Sequence, residues 1–196
     1  MTAFWIVLAI VFSIVVLGLL VYGIVTHEQR RQGEEKGFLD KLKLRPDWPP
    51  LTLIVASDFS QLEERLIRIV KEAAKWWEEQ TGVRYFVPPG ELNANGHVIP
   101  IMPAPLDSLH DPDHSLAYVQ PMVDKEGFLS SAAVYLQPAW DYQDDEVLVI
   151  AMRHELGHCL GLAHDEYEES IMFRTAKKRQ TFVSEPDKKR LVETYS

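Results

Sequence analysis

Three histidines and a glutamate fall within one short segment, His154-Glu155-Leu156-Gly157-His158-Cys159-Leu160-Gly161-Leu162-Ala163-His164. His154 and His158 are four apart, so on an α-helix they project from one face and can grip one ion together. Glu155 lies beside the first of them, where a general base for a metal-activated water would sit. Gly161 can take the left-handed conformation that ends a helix, turning the chain so that His164 becomes a third ligand. Three neutral nitrogens suit Zn²⁺ and leave a fourth position open for water, the arrangement of a catalytic ion. A bare H-E-x-x-H arises by chance in roughly one in 50 to 200 chains of this length, and the added glycine and histidine make it far rarer. The competing reading, an amphipathic helix with surface histidines, is correspondingly weak.

The elements that must position these residues are legible from periodicity. The helix carrying the motif is expected over about 144–160, with Val147, Ile150, Ala151 and Leu156 facing inward. Leu51–Ala56 (LTLIVA) is a short β-rich run suited to a buried strand. A helix capped by Asp58 or Ser60 should follow to about Gln80, with Leu62, Leu66, Ile69, Val70, Ala73 and Trp77 as its apolar stripe. Further strands are expected at 83–87, 97–102 and 116–123. Asp124-Lys125-Glu126-Gly127 forms a hairpin turn into a strand over 128–136. Glu185-Pro186-Asp187 opens a last short helix. The order of elements predicts an α+β fold, a mixed sheet packed on helices.

HELGHCLGLAH resembles the zinc-binding signature of the metzincin metalloproteases, and Ser170-Ile171-Met172 is similar to their methionine turn. With Met172 eight residues past His164, the likeness is greatest to the matrixin branch. It covers 51–196: Ala73–Phe86 resembles that domain's first helix and second strand, Gly127–Trp140 its edge strand and following loop, and Asp187–Tyr195 its closing helix. The resemblance implies a metzincin (zincin-like) domain with one catalytic Zn²⁺ on His154, His158 and His164. It implies Glu155 as general base, Gly161 as the turn residue and Met172 as an apolar floor that is not a ligand. It also implies an extended protein or peptide substrate lying against the strand 128–136, with a side-chain pocket walled by 173–183. Asp165 stands where matrixins usually carry Ser, and Phe173-Arg174 where Tyr-Pro often follows. Tyr118 occupies a position expected to hold a ligand histidine, so calcium or a structural zinc is not carried over. His110, Asp111, Asp113 and His114 read as a solvated turn.

The whole chain, 196 residues, has room for one such domain and an appendage. Residues 3–25 carry no charge and are rich in Ile, Val and Leu, long enough to cross a bilayer as a single transmembrane helix. A cleaved signal peptide competes with this, but no basic n-region precedes the run. The expected organisation is an anchor over 1–25, a juxtamembrane linker over 26–50 and the protease-like domain over 51–196. Arg30, Arg31, Lys36, Lys41, Lys43 and Arg45 follow the apolar run, and by the positive-inside rule would hold the domain in the cytoplasm. The metzincin resemblance implies the opposite side. The lone cysteine, Cys159, lies about 100° round the helix from His158 and reads as a packing residue. A net charge of −9 argues against nucleic-acid binding, and Arg174, Lys177, Lys178 and Arg179 read as a solvated loop. Two other readings stay open: a site whose third ligand is Glu185, and a catalytically inactive metzincin-fold binding module tethered to the membrane.

Overall fold

Leu51–Val55 forms strand β1, and the reason is visible in its burial: Leu51 and Leu53 are sealed on a sheet flanked on both sides. A computed structural model describes residues 42–56, 63–91, 97–105, 116–174 and 180–195. The apolar run 3–25 and the HDPDH cluster lie outside these residues. Among the described residues no helix is long and apolar enough to cross a membrane.

After β1 come helix α1 (Glu63–Thr81), β2 (Phe86–Val87), β3 (Val98–Pro103), β4 (Ala117–Val123) and β5 (Leu129–Leu136). A 3₁₀ turn (Pro138–Tyr142) leads to α2 (Asp145–Cys159), and α3 (Glu185–Tyr195) closes the chain. The strand order is β2-β1-β3-β5-β4, parallel except for β4. The sheet is therefore mixed and the domain is α+β, as the element pattern predicts. Leu53, Ile99, Ile101, Val134 and Leu136 share one sheet face by register, and all are buried. On α1 the expected stripe is buried from Leu66 to Trp77, joined by Ala74 and Trp76; Leu62 lies outside the described residues.

Helix α2 differs from a one-faced helix. From Leu148 to Cys159 every residue but Arg153 is buried, because α2 lies between α1 and β4. Asp144 caps it by accepting from the Val147 N–H at 3.1 Å. Arg65 and Arg68 of α1 both hold Asp145, at 2.7 and 2.5 Å, fixing the start of α2 against α1.

One expectation is corrected. The strand 128–136 is not the sheet edge: β5 is paired on one side with β4 and on the other with β3. Among the described residues the edge is β4, so a substrate strand has no free ladder along β5. The compact unit that carries the sheet starts at Leu42. Leu42 and Trp48 are buried, and Lys43 pairs with Phe128 beside β5. Charged residues at 43, 45 and 47 give this stretch a tether's composition, while Leu42, Leu44 and Trp48 are the residues that dock it.

Candidate metal centre

The C-terminal end of α2 decides where the third histidine goes. Gly161 has φ +81°, and a Cβ there would collide with the Leu44 side chain. Leu162 N–H donates to Gly157 C=O and Gly161 N–H to His158 C=O, at 3.1 and 2.9 Å, the paired bonds of a Schellman turn. The turn presents the Leu162 carbonyl to His158 Nδ1, at 2.8 Å. It also sends His164 back over the helix.

A second turn anchors the first histidine. Phe173 N–H donates to Ser170 C=O at 3.0 Å, and Met172 N–H to the Ser170 hydroxyl at 3.2 Å. This leaves the Ile171 carbonyl aimed at His154 Nδ1, 2.7 Å away. Asp165, the residue that departs from the usual matrixin Ser, joins the two turns: its N–H donates to Met172 C=O at 2.8 Å. Met172 is fully buried against α2, and Gly157 is the reason it fits. A Cβ at Gly157 would overlap the Met172 sulfur and press on the Trp77 ring.

Carbonyls only accept, so His154 and His158 each carry the proton on Nδ1 and the lone pair on Nε2. The three Nε2 atoms lie at 3.1 Å (His154–His158), 3.2 Å (His154–His164) and 3.3 Å (His158–His164). With no proton on either Nε2, the 3.1 Å approach of His154 to His158 is not a hydrogen bond: two lone pairs face one another. Tetrahedral zinc with nitrogens at its usual bond length would space them about 3.3 Å apart, so the donor set fits that ion. Burial pushes the pKa of His154 below the ordinary value. It pushes His158 well below, aided by the two neighbouring histidines. Both are thereby kept in the neutral form a metal requires.

Among the described residues this is the group of three or more His, Cys, Asp or Glu side chains able to hold a metal ion. Glu155 is buried on α2 beside His154. Glu185, the alternative third ligand, is exposed and paired with Lys188 at 3.2 Å. Cys159 is fully buried, its thiol pKa raised by burial and then by the Glu155 carboxylate, so it packs as a neutral thiol. The sequence matches the profile of the matrixin peptidases over residues 51–196.

The chain belongs to the matrixin family.

It carries a matrixin-like zinc metalloprotease domain whose three histidines could hold one ion. A search of curated proteins finds no match. Among solved structures, archaemetzincin from Methanopyrus kandleri is similar over 74% of this chain and 93% of its own, at 13% identity and a TM-score of 0.48. In this matrixin domain the three histidines are marked by local spacing, whereas the groups that orient them are not. Ile171 and Leu162 act through backbone carbonyls, which no side-chain pattern marks, and Gly157 matters only once Met172 is folded against it.

Gly157→Ala is expected to cost about 1–3 kcal/mol by overpacking, read by denaturant unfolding. Combining it with Met172→Ala should cost less than the sum of the two single changes. A pH dependence also follows. Histidines whose folded pKa is depressed give stability that is complete above the unfolded value and lost as pH falls below it. The thermal midpoint of the chelated protein should therefore carry a component that drops from pH 6.5 downward. Asp187, pushed up to about 6 mainly by burial, has the opposite sign in that window, because ionising it costs stability. Comparison with His158→Leu isolates the histidine contribution; identical pH profiles would refute it.

Proposed function

We propose that this chain is a zinc endopeptidase that hydrolyses peptide bonds and is held at a membrane by residues 3–25. The carrying observation is the convergence of three imidazole nitrogens within 3.1–3.3 Å, with a buried carboxylate adjoining the first in sequence. His154, His158 and His164 would hold the ion, and zinc when bound supplies the Lewis acidity that makes water nucleophilic near neutral pH. Glu155 accepts the proton that water releases as its oxygen attacks the scissile carbonyl carbon. It returns that proton to the amine nitrogen as the C–N bond breaks.

An extended peptide suits the outer edge of β4 by strand addition. Gln137 N–H donates to Leu116 C=O at 2.9 Å, which sets the alternation of the β4–β5 ladder. Tyr118, Gln120 and Met122 bond inward to β5, and Val119 and Pro121 turn their backbone groups outward. Val119 offers a donor and an acceptor, whereas Pro121 offers a carbonyl and no N–H. A substrate ladder on this edge therefore thins out at Pro121. The membrane element of the proposal rests on the length and charge-free composition of residues 3–25.

In a quenched peptide library, Glu155→Ala should keep zinc and lose at least about a hundredfold in rate. Full activity in that variant would remove Glu155 from its role; zinc binding by wild type with no cleavage would leave a binding module. The full chain expressed in cells is expected in the carbonate-washed membrane pellet, and recovery in the supernatant would overturn the anchor.

A further inference from the structure

A helix ending at a tight turn leaves its last carbonyls without helical donors, and in α2 each of them can be followed to its partner. Leu160 N–H bonds to Leu156 and Gly157, Leu162 N–H to Gly157, and Gly161 N–H to His158. The two remaining carbonyls, Cys159 and Leu160, sit at the turn itself. Cys159 C=O accepts from the Trp48 indole N–H at 2.9 Å, and Leu160 C=O from the Tyr195 hydroxyl at 3.0 Å. The first donor comes from the segment before β1 and the second from the last turn of α3. Both reach the stretch that separates His158 from His164.

The segment 42–50 is fastened at its other end too. Lys43 accepts from Leu129 N–H at 2.9 Å and donates to Gly127 C=O at 3.2 Å. Arg45 pairs with Asp124 in the β4–β5 turn, and Lys43 and Arg45 flank the Phe128 ring at 5.5 and 4.8 Å. Alternation of an extended chain sends Leu42 and Leu44 to the other side, where Leu44 fills the space beside Gly161. Trp48, 2% exposed, also packs on the His97 ring at 4.9 Å. This strap precedes the residues matched to the matrixin profile, which begin at 51.

We infer that the strap over 42–50 is part of the metal centre, with Trp48 and Leu44, together with Tyr195, as positioning residues that hold the Gly161 turn and so place His164. The inference rests on the zinc reading above. Its physical basis is that the turn has only one residue of left-handed backbone to define it, and its carbonyls are buried. With the indole donor removed, Cys159 C=O must seek another partner, which the chain can supply only by shifting the turn. His164 moves with it, and so does the Leu162 carbonyl that orients His158, while His154, fixed by Ile171, stays in place.

The test uses the full chain with zinc or cobalt bound. Trp48→Phe keeps an aromatic ring and deletes the N–H; Tyr195→Phe deletes only the hydroxyl. Each should weaken zinc affinity roughly ten- to hundredfold, as changes to groups that orient ligands do. The visible absorption of the cobalt form should shift, and kcat should fall with KM for a short peptide unchanged. A lowered thermal midpoint with wild-type zinc affinity and cobalt spectrum would overturn the inference, since that is the signature of packing alone. Should Trp48→Phe fail to fold, Leu44→Val and Tyr195→Phe decide by the same readings. Wild type that binds no zinc would overturn the zinc reading itself; wild type that binds and cleaves alongside unaltered variants overturns only the strap.

Discussion

Lone pairs held face to face in a site from which water is largely excluded repel one another unless a cation lies between them. That constraint organises this domain. Two imidazole protons are committed to the Ile171 and Leu162 carbonyls, so His154 and His158 cannot relieve the crowding by turning a proton toward each other. The carbonyls in turn depend on two tight turns, one at Gly161 and one at Ser170–Phe173, and Asp165 ties these together. The orientation of these histidines is thus a backbone property, set by turns that the core holds in place.

The core explains why α2 can be that rigid. A helix buried nearly all round has no solvent face on which to tilt or fray. Its N-terminal end is fixed by Asp144 and by the arginines of α1. Gly157 lets Met172 lie directly against the helix between His154 and His158, replacing what would be a side chain with a thioether from the neighbouring loop. The sheet adds the remaining boundary: α2 packs against β4, the last strand of the sheet.

Much of this was readable from local sequence. Spacing alone placed His154, His158 and His164 together, Gly161 at the turn, and most helix and strand limits within a few residues. What escaped it was non-local. Whether β4 or β5 forms the edge depends on which strand pairs with β3, a long-range choice that neither strand's own residues mark. The stretch from Leu42 reads as a charged tether because its docking residues are outnumbered by Lys, Arg and Asp. Trp48 and Tyr195 approach α2 from opposite ends of the sequence, so no window of periodicity joins them. The one-sided helix expected over 144–160 failed for a related reason: amphipathic patterns describe a helix on a surface, and α2 is covered by α1 as well as by the sheet.

The proline in β4 has a consequence for the molecule's life in a crowded solution. An unpaired outer strand is a template on which a second chain can polymerise, and solvent-facing Met122 and Val123 would make that association stickier. Pro121 interrupts the row of donors in the middle of that template. A short guest can still dock beside Val119, but an endless ladder between like molecules cannot propagate, so the edge stays open for visitors without becoming a seed for fibres.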